Sequence, residues 1–194
     1  MKNSILITAL ATALTLATIV HIAEPKVAVL PAGEDATKKT VLIGRNLADN
    51  VIVVFELEAA KAMQMQMGKP PKWVEHPVAK GEIYHVEVKP VDPKSGTRIS
   101  YADVKFSAVN RDNKKTIAGT LHPMWGSSGL HYAVNSPLAG DGTYETTITV
   151  GVPTFGRSTA DKDMWMKPVI TKFHFKLAGG KVVEVSQPVP EPKK

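Results

Sequence analysis

The chain has 194 residues, with 24 Lys+Arg against 18 Asp+Glu, six His and no Cys. Without cysteine there is no disulfide scaffold, thiolate zinc site, iron–sulfur cluster, cysteine nucleophile or lipid-modified N-terminal cysteine. The net charge of +6 is spread thinly: the longest basic runs are pairs such as Lys38-Lys39 and Lys114-Lys115. That pattern describes a solvated surface and not a nucleic-acid stripe, so no nucleic-acid partner is expected.

In chain order, residues 5–20 form an uncharged apolar run behind the single positive charge of Lys2, the layout of a secretory signal. Cleavage after Ala23 gives residues 1–23 as signal peptide and a polar mature chain from Glu24-Pro25. His21 fits poorly at the small-residue position before the cut, which keeps an uncleaved anchor as the alternative. In both cases the folded part lies outside the cytoplasm, and an exported chain without cysteine fits a bacterial periplasm.

Residues 24–50 are interrupted by Pro25, Pro31, Gly33 and Gly44, which predicts an irregular lead-in with one short strand at 41–43. Strand patterns follow at 51–58, 83–91, 98–109, 143–152, 169–177 and 181–185, rich in β-branched residues and alternating in polarity. Between them stand turn signals such as Asp92-Pro93-Lys94-Ser95-Gly96, Gly140-Asp141-Gly142 and Gly179-Gly180. Seven or eight short strands without a convincing long helix predict an all-β fold, an antiparallel sandwich of immunoglobulin-like or cupredoxin-like type over 51–186. The segment 59–67 stays open, since its alanines favour helix while Met-Gln-Met-Gln-Met favours strand. The Pro-rich tail 187–194 reads as polyproline II or disorder.

Common catalytic signatures are missing. Gly126-Ser127-Ser128-Gly129 lacks nucleophile-elbow spacing, there is no His-Glu-x-x-His, and no glycine-rich phosphate loop opens a helix, so the chain is not expected to be an enzyme. What remains is a set of metal-ligand types. His85 and Glu87 are two apart on a predicted strand and share a face, with Val86 and Val88 on the other. An isolated His-x-Glu also describes an ordinary polar strand face.

A denser group runs from 121 to 135 and contains His122, Met124, Trp125 and His131. Its proline and glycines suggest that much of it is loop. Thioether and imidazole together select copper, whereas carboxylate suits harder ions such as iron. Core packing by Met124 explains that residue equally well. Met63, Met65 and Met67 form a ladder that could hold cuprous ion, or one apolar strand face. His76, His174 and His21 are singletons.

Taken in order, these residues resemble the periplasmic iron-transport protein family, the exported metal-binding partners of ferrous-iron permeases, which also includes the treponemal metal-binding lipoprotein. The resemblance rests on His85-Val86-Glu87, then Pro123-Met124 and Gly129, His131, Tyr132 and Asn135, with Met and His seven apart. Gly142, Tyr144, Arg157, Asp161 and Trp165 follow. It implies an immunoglobulin-like homodimer binding copper through His85, Met124 and His131 with Glu87 close by, iron beside it, and an inner-membrane iron permease as partner. Family members often carry a histidine directly after the late arginine, where this chain has Ser158, and His122 is the candidate substitute for that fourth ligand. A periplasmic copper carrier that uses Met63, Met65 and Met67, unrelated to iron, is the alternative reading.

Overall fold

The computed structural model describes residues 24–187. The signal or anchor segment 1–23 and all but the first residue of the Pro-rich tail lie outside them. The described residues form twelve strands: β1 (Val27–Glu34), β2 (Val41–Ala48), β3 (Val51–Ala59), β4 (Met63–Met67), β5 (Lys72–His76), β6 (Tyr84–Val91), β7 (Val104–Asn110), β8 (Thr116–Gly126), β9 (Gly129–Ser136), β10 (Gly142–Val150), β11 (Val169–Ala178) and β12 (Lys181–Ser186). A 3-10 turn at Thr159–Asp161 precedes β11. The fold is therefore all-β and antiparallel, as the alternating patterns predict.

Ten strands make one continuous sheet in the order β1-β12-β11-β10-β7-β8-β9-β6-β3-β2, and β4-β5 form a separate hairpin. Strand β8 belongs to both halves of the sheet. Its first part, through Leu121, pairs with β7, and from His122 onward it pairs with β9. The sheet turns a corner there and folds over, so that Phe55 of β3 meets Phe173 and Phe175 of β11 edge to face, at centroid separations of 5.4 and 6.1 Å. Tyr144 stacks on Phe175 at 4.5 Å. The core comes from the inward residues of both halves, including Val86 and Val88 of β6 and Tyr132 of β9. The Tyr132 hydroxyl accepts from Ala102 N (3.0 Å) and donates to Ile99 O (3.2 Å), which ties the loop before β7 to the core.

The N-terminal region differs from the sequence expectation. Two full strands, β1 and β2, occupy the stretch expected to be mostly irregular. The proline and glycines that suggest breaks there lie on the two edge strands of the sheet, where backbone donors need no partner on one side and bulges are tolerated. The register slips between Val29 and Glu34, around Pro31 and Gly33, and again between Leu42 and Gly44. The 98–109 pattern also narrows to a strand beginning at Val104, with Arg98 bridging Val91 in isolation. Residues 63–67 settle as strand.

The second expectation to change is the loop at 121–135, which is a tight hairpin. Pro123 is accommodated because the pairing of β8 with β7 stops at Leu121, opposite the first residue of β7, leaving that side of β8 an edge. Gly129, at φ 81°, supplies the left-handed residue that closes the two-residue turn at Ser127-Ser128.

At Gly44 the two halves approach closely. A Cβ there would lie 2.8 Å from both Phe173 Cδ1 and Ser186 Cβ. Gly44→Ala is expected to lower stability by about 1–3 kcal/mol through overpacking, read by urea unfolding. An unchanged midpoint would contradict this closure of β2 over β11 and β12.

Candidate metal centre

The period-two rule places Tyr84, Val86 and Val88 in the core and His85, Glu87 and Lys89 on the opposite face of β6. That outer face is nonetheless buried: His85 is 0% and Glu87 3% exposed. The cover is the chain leaving β3. Asn135 of β9 holds it in place, donating Nδ2–H to Lys61 O (2.9 Å) and accepting from Lys61 N at 3.4 Å. Because the Asn135 amide nitrogen faces the Lys61 carbonyl, its oxygen faces His85. The 2.9 Å contact from His85 Nδ1 to Asn135 Oδ1 is therefore a donated N–H.

His131 is fixed in the same way. Its Nδ1 lies 2.9 Å from Gly129 O, a group that only accepts, so Nδ1 carries the proton. Both rings are thereby held as Nδ1–H tautomers with a bare lone pair on Nε2. Those two Nε2 atoms are buried and have no hydrogen-bond partner. The rings stand edge to face at 6.1 Å, and ligand atoms of His85, Glu87 and His131 lie within 4.8 Å of one another. Buried polar atoms left unpaired cost stability unless a ligand takes them, and a hydrogen bond on the other ring nitrogen is the usual support of a metal-binding imidazole.

Glu87 completes the cluster. Its Oε1 accepts from Ser128 Oγ (3.0 Å) and from Lys89 Nζ (2.8 Å), while Oε2 stands 3.8 Å from His131 Nε2. Lys89, itself buried, also pairs with Glu56. Burial raises the Glu87 carboxyl, but the Lys89 hydrogen bond and charge and the Ser128 hydroxyl outweigh it and hold the group below its usual value. Burial likewise pushes the His85 imidazole below its usual value, against the Asn135 hydrogen bond. The result is a neutral imidazole and an ionised carboxylate, which is the form in which each group binds a cation.

The seven-residue spacing of Met124 and His131 has a direct structural cause. Across the Ser127-Ser128 turn the two residues are a register pair on β8 and β9, so their side chains share a face. Met124 is half-buried and lines, with His131, a groove of about 870 Å³. His122 occupies the same face of β8 and lines the same groove, exposed and outside the His85/Glu87/His131 cluster. Gly126 keeps room for the His131 ring, since a Cβ there would lie 3.1 Å from His131 Cε1.

The later motif residues sit elsewhere. Arg157 donates to Pro153 O and Trp165 O, and Trp165 Nε1 donates to Asn50 O at the start of β3. Eight residues of strand, about 26 Å at the usual rise, separate Asn50 from Glu58, the register partner of His85. Within one chain, Arg157, Asp161 and Trp165 build a corner remote from the cluster. Gly142 is needed because Asn110 Oδ1 would lie 2.5 Å from a Cβ, and the Tyr144 hydroxyl accepts from Ala139 N (2.8 Å). His174 pairs with Glu184 at 2.9 Å. Sequence reading missed the parts played by Asn135, Lys89, Ser128 and Gly126. Lys89 left a signal as the next member of the series His85-x-Glu87, and Asn135 stands among the motif residues with no role assigned to it there.

Nitrogen NMR of the metal-free protein is expected to show both His85 and His131 as Nδ1–H tautomers at neutral pH. An Nε2–H tautomer at either ring would contradict the pre-formed donor set.

No curated protein matches the chain. Among solved structures, FetP of uropathogenic E. coli strain F11 superposes with a TM-score of 0.61 at 23% identity, covering 72% of this chain and 97% of its own. Copper-reconstituted P19 from Campylobacter jejuni gives 0.58 at 22%, covering 72% and 97%. A copper-bound FetP variant gives 0.58 at 23%, covering 73% and 94%. These likenesses carry the fold. The model of the Fe2+ transport protein family matches residues 81–179, just over half the chain and the span that holds His85, Glu87, Met124 and His131. The chain belongs to the Fe2+ transport protein family.

Proposed function

We propose that this is a periplasmic metal-binding protein of an iron-uptake system, binding copper through His85, Met124 and His131 with Glu87 at the side, and handling iron next to it. The observation that carries this reading is the pair of buried, unpartnered Nε2 atoms beside an ionised carboxylate. Imidazole with thioether favours copper, and a carboxylate brings affinity for harder ions such as iron. Copper in the FetP variant and in P19 supports the metal, and membership of an Fe2+ transport family supports the iron context. The protein supplies the ligands and the protonation state in which they bind, and bound copper would supply a redox-capable cation next to Glu87.

Non-catalytic action, a homodimer and partnership with an inner-membrane iron permease belong to the same proposal and rest on the family. Periplasmic location is supported by the signal-like run at 5–20 and the absence of cysteine. His122, on the groove side of Met124, stands outside this ligand set.

Calorimetric titration of the metal-stripped protein with Cu(II) is expected to give about one ion per chain, as a single mononuclear site requires. Met124→Leu is expected to weaken it, and His131→Ala to abolish it. Equal binding by all three proteins, or binding by none, would overturn the assignment. Asn135→Ala, which touches no metal, is expected to lose about 10–100-fold in copper affinity by releasing the His85 ring. Wild-type affinity in that folded variant would show that the hydrogen bond does not position the ligand.

A further inference from the structure

The methionine ladder has a place that the inner site does not use. On the β4-β5 hairpin Met63, Met65 and Met67 share one face, and exposure falls along it from 55% at Met67, through half-buried Met65, to 8% at Met63. An apolar strand face of this kind normally joins the core, yet Met63 stands apart from the core cluster even though it is buried. Met63 and Met65 instead line the groove whose other wall is His122 and Met124 and which reaches His131. Lys61, the cation at this rim, is paired with Glu58. The groove therefore presents neutral thioether and imidazole donors with no carboxylate among its lining residues.

We propose that Met63, Met65 and His122 form a second metal site, selective for a soft monovalent cation of the cuprous class, in the groove outside the His85/Glu87/His131 cluster. Thioethers bind Cu(I) in preference to Cu(II) or iron, and a neutral donor set suits a single positive charge. The inner site differs in adding an anionic carboxylate and two imidazoles to the single thioether of Met124. The two sites thus sort copper by oxidation state, with Met124 on the shared wall between them. The outer site does not depend on the inner one holding metal.

The test uses Ag(I) as a redox-inert stand-in for Cu(I), added to the full chain, with methionine methyl NMR and native mass spectrometry as readouts. Met63 and Met65 methyl signals are expected to move with the first silver ion. Met63→Leu/Met65→Leu is expected to lose at least tenfold in Ag(I) affinity with its Cu(II) uptake unchanged, and His122→Asn to lose a similar factor alone. Unmoved Met63 and Met65 methyl signals, or wild-type Ag(I) affinity in the folded double variant, would overturn the proposal. Wild-type affinity in His122→Asn would remove the imidazole and with it the site as stated. Silver binding at these methionines without Cu(II) binding would refute the inner site alone, and the reverse result would refute the outer one.

Discussion

A strand buried on both faces is the constraint from which the rest follows. One face of β6 packs Tyr84, Val86 and Val88 into the core, which is ordinary. Its other face carries His85, Glu87 and Lys89, which must be paired or bound to something if they are to stay out of water. The fold meets this requirement in part. Asn135 takes one nitrogen of His85, Ser128 and Lys89 take one oxygen of Glu87, and the Gly129 carbonyl takes one nitrogen of His131. What is left over is two imidazole lone pairs and one carboxylate oxygen, all aimed at the same small volume.

Each of these supports also does structural work. Asn135 simultaneously pins the chain at Lys61, which buries His85 and positions the β4-β5 hairpin that walls the groove. The corner in β8 frees its second half from β7, so His122, Met124 and Gly126 can face the site from an edge strand. Metal affinity and local folding are therefore coupled through the same few hydrogen bonds, as expected for a centre whose donors are fixed before the ion arrives.

Much of this was legible in the sequence wherever period two governs. The all-β class, the shared face of His85 and Glu87, and the inward Val86 and Val88 follow from alternation alone. The Met124–His131 spacing was legible as a motif but its cause was not, because Pro123 and the glycines suggest loop when the edge position of β8 is unknown. Strands β1 and β2 were obscured for the same reason: Pro31, Gly33 and Gly44 break a central strand but sit comfortably at bulged edges. Asn135 and Lys89 owe their importance to cross-strand pairing and to a chain crossing overhead, which no local pattern encodes. The methionine ladder could be read as ligand set or apolar face, and only its position in the groove, away from the core, separates the two.

The most direct test of the central claim is anomalous diffraction at the copper edge from crystals of the copper-loaded protein. A peak shared by His85 Nε2 and His131 Nε2, within reach of Met124 and beside Glu87, is expected. A peak confined to other histidines such as exposed His76 or half-buried His174, with His85 and His131 left uncoordinated, would contradict it.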